Sequence, residues 1–313
     1  MNPLLNEDEQ AARAAARTMA AEAFSVGAAT PEAIGAAAAS VTAADGVQSN
    51  LHMTLAVEEI ARVAPAAGAA VGSVAAAALV LREAGQEPNG LAVCVGGGSV
   101  SADESGVAGT SEPVPAAQYA DRFIVIGDDA VWMAAGAATS ADLDGLAGSG
   151  LARVEVSSGE QIGGADLAQL GRAVLRLQQS AVAVGISAAA QDAALTAIAD
   201  AKESGGAPDR SQAVQWALAD IATEAEAARV ATWHSACADT TDQGSAMALV
   251  LATDAAAKAV RLAAKIGGVE SAAAGGRMAE LQRDAKLVEL LGGGAAAQLG
   301  TIADALLPDV PRA

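Results

Sequence analysis

Residues 212–229 read QAVQWALADIATEAEAAR. Val214, Ala217, Leu218, Ile221, Ala225 and Ala228 recur at three- and four-residue steps, the spacing that gathers apolar side chains on one face of an α-helix. Glu224, Glu226 and Arg229 fall at the polar positions, and the acidic pair reads as a solvated face. The pattern continues through VATWHSACAD, so one long helix is expected over 211–239. The same period predicts helices at 165–178 leading into 180–203, then at 245–266, 277–291 and 295–307. Long helices with short connections imply an antiparallel bundle.

Upstream the texture changes. LAVCV (91–95), RFIVI (122–126), AVWM (130–133) and LARVEV (151–156) are short apolar or alternating runs separated by Gly, Asp and Ser. They predict a small β domain with a minimal sheet. Before it, Asn6 is placed to cap a helix whose first turn holds Glu7, Asp8 and Glu9. A second helix is expected over Pro31–Ala39, with Thr30 as cap. A third, near Met53, puts Leu55, Val57, Ile60 and Val63 on one side and Glu58, Glu59 and Arg62 on the other, until Pro65 bends or breaks it. GSVAAAALVLREAG supplies a fourth, ending at Gly85. The fold class is therefore mainly α with a small middle β domain. Its expected parts are a helical domain over 1–88, a reduced β domain over 89–164 and a helical bundle over 165–313.

The chain is 52% hydrophobic but only 2% aromatic, so its core must be built from Ala, Val, Leu and Ile. Eighteen basic residues against 37 acidic ones give a formal net charge of -19. Such a surface repels phosphate backbones and anionic membranes, which argues against both as partners. No run is read as approaching the roughly 18 apolar residues of a membrane span. The start MNPLLNEDEQ lacks the basic and apolar segments of a secretory signal. Cys94 and Cys237 are far apart and no CxxC occurs, so neither a disulfide framework nor a cysteine metal site is expected; a reducing cytoplasm is. His52 and His234 are the only histidines and no GxSxG elbow accompanies them. Trp132, Trp216 and Trp233 are read as core or interface anchors. His234 is read as a hydrogen-bonded structural residue, and Gly96–Ser99 as a plain loop without the Lys-Ser/Thr of a phosphate loop.

Four stretches, in order along the chain, resemble the acyl-CoA dehydrogenase family. LAVEEIAR (Leu55–Arg62) is similar to the family's N-terminal "EELAR" helix, and VAGTSEPVPAAQYADRFIVI (Val107–Ile126) to its middle β domain. QAVQWALADIATEAEAAR (Gln212–Arg229) resembles the stretch in which Gln and "LADM" precede a glutamate-rich run ending in "AAR". KIGGVESAAAGGRMAELQRDAKLVELL (Lys265–Leu291) is similar to its "GG…RLYRDAK…E" segment, with about one residue of extra length.

The resemblance implies a chemistry that most of the matching positions here cannot perform. Family members bind FAD, and a glutamate takes the α-proton of an acyl-CoA while the β-hydride passes to the flavin. Laid on this chain, that glutamate falls at Gly292, and the neighbouring threonine and second glutamate fall at Gly294 and Ala296; only Gln298 survives. Glycine has no proton acceptor, so no catalytic residue is assigned. The family's other option places the base on the helix that here contains Arg172–Ala190, which has no Asp or Glu. The arginine that reaches a neighbouring subunit's FAD falls at Ala201, beside Lys202, with Ser204 and Gly205 in place of the following Phe and Gly. The "LTEPxxGSD" segment has no match. The "WITN" element becomes Ser111–Val114 without its tryptophan, and the glutamine before the paired glycines becomes Ala264. Gly267 and Gly268 themselves are retained, as a helix terminator or as half of a contact to a partner's FAD.

Arg283 and Asp284 are read as structural polar contacts, and Glu289 as the first candidate only if an active base has been relocated. The implied role is a degenerate subunit of a heteromeric FAD-dependent acyl-CoA dehydrogenase, such as the heterotetramers of actinobacterial steroid degradation. The partner would be a homologous catalytic subunit that holds most of the FAD, with no metal involved. The alternative is a non-redox scaffold or binding protein with the same fold.

Overall fold

The computed structural model describes residues 5–24, 29–42, 48–103, 106–141, 143–203, 211–237, 240–273 and 275–307. Among the described residues the first elements are the helices α1 (Glu7–Phe24), α2 (Pro31–Val41), α3 (Gln48–Val63) and α4 (Pro65–Glu83). Asn6 and Glu9 close a reciprocal capping box on α1: the Asn6 side chain accepts from Glu9 N at 2.9 Å and Glu9 accepts from Asn6 N at 2.7 Å. Thr30 caps α2 through Ala33 N, with Pro31 at the first position. Pro65 does not kink α3. It opens α4, where a missing backbone donor is harmless.

The expected polar side of α3 does not face water. Leu51 and every residue from Met53 to Ala61 are buried, and Glu58 and Glu59 are 2% and 1% exposed. α3 lies under α1 and against α5 and α6, so its carboxylates are enclosed and neutralised there. Arg13 on α1 contacts both glutamates, Arg17 holds Glu59 at 2.8 Å, and Arg229 holds Glu58 at 2.8 Å. Trp233 donates its indole N–H to Glu58 at 3.0 Å while Arg13 stacks over its ring. Sequence periodicity missed this because a buried, paired carboxylate and a solvated one look alike along the chain.

The sheet has six strands in the order β1-β4-β5-β6-β3-β2, with β1 (Ala92–Val95) parallel to β4 (Arg122–Ile126) and the other pairs antiparallel. It is larger than expected. β2 (Ser101–Asp103) and β3 (Gly106–Thr110) were not foreseen. β5 (Ala130–Ser140) and β6 (Ala152–Gly164) form a long hairpin rather than short runs. The outer half of β5, AAGAATS, carries no bulky apolar residue and is mostly exposed, so its only signature is the backbone pairing itself.

The remaining helices are α5 (Ala165–Glu203), α6 (Gln212–Cys237), α7 (Asp242–Gly267), α8 (Arg277–Leu290) and α9 (Gly294–Leu306). α5 is one unbroken helix of 39 residues that packs on α3, α4, α6, α7 and α8. Small residues permit these approaches: a Cβ added at Gly185 would lie 2.6 Å from both Ala61 Cβ and the Glu58 carbonyl. Glu224 and Glu226 are not simply solvated, since they pair with Lys258 and Arg229. Of the tryptophans, only Trp233 is fully buried; Trp132 is half-buried and Trp216 is 63% exposed, so Trp216 is no core anchor. His234 is exposed near the end of α6 rather than built into the interior.

Among the described residues two helices are, against the sequence reading, long and apolar enough to cross a membrane: Pro65–Glu83 and most of α5. Their apolar windows are 83% and 61% buried inside the fold, because these are the two central core helices.

Candidate functional site

A cavity of about 330 Å³ lies where the N-terminal helices, the sheet and the bundle meet. α4 contributes Ala69 and Ser73; the end of β1 and the loop after it contribute Cys94 to Gly97; the segment Glu112–Pro115 forms another wall. α5 contributes Arg172, Leu175, Arg176, Gln178, Gln179 and Val182, and the α8–α9 junction closes the remaining side.

That junction is the glycine-rich segment. Gly292, Gly293 and Gly294 have φ of 67, 85 and 66°, a region that L side chains rarely occupy. The glycines therefore turn α8 into α9, a reason for them beyond lost chemistry. Gln298 fastens the turn: its amide donates to the Gly292 carbonyl at 2.9 Å and accepts from Arg176 Nε at 2.7 Å. Arg176 continues to Asp242 at 2.7 Å. Gly292 and Gly293 are exposed and form the rim of the cavity.

The loop Gly96–Ser99 is more than a connector. Gly97 and Gly98 adopt φ of 67 and 63°; a Cβ at Gly97 would meet the Glu112 carboxyl carbon at 2.9 Å, and one at Gly98 the Thr110 carbonyl at 2.4 Å. Glycine is required for this loop to close on the wall. Cys94 is fully enclosed, and burial pushes its thiol up to about 12, so it carries no thiolate at neutral pH.

Among the described lining residues the one carboxylate is Glu112 and the cations are Arg172 and Arg176. Sequence reading did not single out Glu112, which sits inside the expected β-domain stretch without any spacing to mark it. Glu289 does not line the cavity; it pairs with Lys286 at 2.9 Å. Gly267 ends α7 and Gly268 follows with φ 64°, so both terminate a helix. Gly267 also lines a second, open groove with Asp192 and Arg277, and the fold does not bring it to Gly292. Arg283 pairs with Asp144 at 3.2 Å, and Asp284 accepts from Leu146 N at 2.6 Å, so both tie α8 to the β5–β6 connection. Ala201 and Lys202 lie in the last turn of α5; Ser204 and Gly205 fall outside the described residues.

The cavity's volume suits one small molecule, at the low end of the roughly 300–1,000 Å³ of such pockets. The arginines that a diphosphate would need are already engaged: Arg172 with the Gly127 and Asp128 carbonyls, Arg176 with Gln298 and Asp242. Among the described residues, no group of three His, Cys, Asp or Glu could hold a metal ion.

Residues 163–307 match the family model for the acyl-CoA dehydrogenase C-terminal domain. No curated protein gives a match. Similar solved structures include the electron transferring flavoprotein work on Acidaminococcus fermentans, with 19% identity, 99% of this chain and 100% of that one covered, and a TM-score of 0.83. Butyryl-CoA dehydrogenase from Megasphaera elsdenii shares 19% identity, with 98% and 100% covered and a TM-score of 0.82. A chain of the ChsE4-ChsE5 complex from Mycobacterium tuberculosis shares 20%, with both chains covered in full and a TM-score of 0.77.

Proposed function

We propose, for a chain that has the acyl-CoA dehydrogenase fold and carries that family's C-terminal domain, that it is the non-catalytic subunit of a heteromeric, FAD-dependent acyl-CoA dehydrogenase. The observation that carries this reading is the cavity wall. Gly292 stands at its rim with Gln179 on its α5 side, and neither can accept a proton at neutral pH; Glu112, on the opposite segment of the chain, is the one carboxylate among the described lining residues. A homologous partner would supply the carboxylate and most of the flavin site, while this chain supplies the packing surface of its helical bundle. One similar structure is a two-component complex, which supports an assembly of unlike subunits. The acyl group of the complex, a bulky steroid-derived one included, is part of the proposal, as are a heterotetramer and a cytoplasmic setting. Gly267 and Gly268 are placed toward the partner's FAD in the same reading.

The test is co-expression with a homologous chain that retains the glutamate. The expected result is a complex of defined mass that is yellow and dehydrogenates an acyl-CoA, with this chain colourless alone. Glu112→Gln in this chain should leave the activity of the complex within about twofold, since in this reading the base belongs to the partner. Stoichiometric flavin in the purified single chain would sink the reading. Failure to associate with any such homologue would favour the non-redox binding protein.

A further inference from the structure

The loop between α4 and β1 reads EPNGL over residues 87–91, and nowhere else in the chain does an asparagine precede a glycine. Asn89 and Gly90 are both exposed and lie outside any helix or strand. Gly90 has φ 74°, and a Cβ there would meet Asp121 Oδ2 at 2.8 Å, so the position requires glycine. Asp121 is fixed in turn, since it accepts from Leu91 N at 3.1 Å. The backbone is held from the other side as well: Arg122 donates to the Glu87 carbonyl at 3.1 Å and to that of Asn89. What the loop leaves free is the pair of groups between these anchors. Among the described residues neither the Asn89 side-chain amide nor the Gly90 N–H has a hydrogen-bond partner.

We propose that Asn89 is a site of spontaneous modification, converted to aspartate and isoaspartate through a cyclic imide. The Gly90 nitrogen gives its proton to water and bonds to the side-chain carbonyl carbon of Asn89. The bond from that carbon to Nδ2 breaks, and ammonia leaves carrying a proton returned from water. The ring so formed is a succinimide. Water then opens it at either carbonyl. Opening at the former side-chain carbonyl leaves aspartate; opening at the backbone carbonyl leaves isoaspartate, with a methylene added to the main chain. Nothing is oxidised or reduced: water enters, ammonia departs, and a neutral amide becomes a carboxylate. Asparagine is a thermolabile residue, and a Cβ on the residue after it hinders the attack; this fold forbids a Cβ at position 90. The other described asparagines are shielded and are followed by Glu7 and Leu51. Asn6 is engaged in the capping box of α1, and Asn50 lies within α3 with its amide on Thr240. The chain, already at -19, thereby gains a negative charge in the loop that Asp121 and Arg122 hold, at the entry to the strand whose far end walls the cavity.

The test is incubation of the full folded chain in neutral buffer, sampled over time. Peptide mapping by mass spectrometry reads the exchange of NH2 for OH at each asparagine. Isoaspartate is read by methyl transfer from S-adenosylmethionine with an isoaspartyl methyltransferase. Asn89 should convert at least about tenfold faster than Asn6 or Asn50, which must first release their hydrogen bonds. Its rate should stay within about tenfold of that in the chain unfolded in guanidinium chloride, because no local opening is needed. Isoaspartate should appear in the same peptide as aspartate. More acidic species should accumulate on isoelectric focusing of wild type and not of Asn89→Gln, whose longer side chain closes a larger ring more slowly. The site is mapped on wild type, so a variant that folds poorly does not decide the outcome. A smaller margin over Asn6 or Asn50, a folded rate further below the unfolded one, aspartate without isoaspartate, or undiminished acidic species in a folded Asn89→Gln chain would each overturn the proposal.

Discussion

A β-carbon built on Gly292 would lie 3.3 Å from Oε1 of Gln179, so the rim of the cavity and the α5 amide are in near contact. The position is also held at φ 67°. Gly292→Glu should therefore do two things. It should cost about 1–2 kcal/mol from forcing an L-residue into the left-handed region, seen as a lower melting temperature. It should also fail to confer acyl-CoA dehydrogenation on the single chain supplied with FAD if, as proposed, the partner subunit holds most of the flavin site.

The enclosed carboxylates on α3 give the largest predicted loss. Glu58 answers Arg13, Arg229 and the Trp233 indole. Glu58→Ala strands the buried Trp233 indole N–H and takes one of two carboxylate partners from each of Arg13 and Arg229, and should cost about 3–5 kcal/mol in urea unfolding. Arg17→Ala should cost far less, under about 1 kcal/mol, because that side chain is 56% exposed.

The same cluster sets an acid limit. Burial pushes the Glu59 carboxyl up, but hydrogen bonds and charge from Arg17 and Arg13 outweigh it and hold it below the ordinary 4.5. A folded value below the unfolded one means that stability is present above 4.5 and is lost as pH falls through the folded value. Urea midpoints followed from neutral pH to below 4.5 should drop steeply in wild type and more shallowly in Glu59→Gln, which starts from a lower stability.

Asp284 behaves oppositely. Burial raises its carboxyl, and the Leu146 N–H only partly offsets this. Its charged form is a burden at neutral pH, since stability falls as pH rises through a raised acid value. Asp284→Asn keeps an acceptor for Leu146 and should leave thermal stability equal or higher at neutral pH. Asp284→Ala strands that N–H and should cost about 1–3 kcal/mol.

Two glycine substitutions separate propensity from packing. Gly185→Ala adds a methyl 2.6 Å from Ala61 Cβ and the Glu58 carbonyl, and should cost about 1–3 kcal/mol despite better helix propensity. Gly300→Ala, on α9 with nothing within 4 Å, should gain about 1 kcal/mol. Thermal melts of the two variants check both signs.

The helices of the bundle were legible because apolar spacing and their bounding residues agree; the expected 211–239 is observed as Gln212–Cys237. The pairing of β5 with β6 was half-legible, since Ala and Gly pair through backbone alone and leave no pattern of side chains. The positive φ of Gly292 was not legible, since a glycine in sequence does not say which conformation it is needed for. Glu112, Ser73 and Gln178 were not legible at all. A polar residue on an apolar helix reads as surface until its neighbours are known, and the cavity exists only where three separate parts of the chain converge.

The charges that hold α1, α3 and α6 together are gathered around Glu58 and Glu59, while the cavity is walled by α4, α5 and the α8–α9 turn. No member of the Glu58–Glu59 cluster lines the cavity, so the wall could change at Gly292 or Gln179 without withdrawing one of that cluster's ion pairs. Arg172 and Arg176 are the exception to such freedom, since they face the cavity and also bind Asp242. The tolerance of this wall to exchange is therefore uneven, and it ends where the bundle's own ties begin.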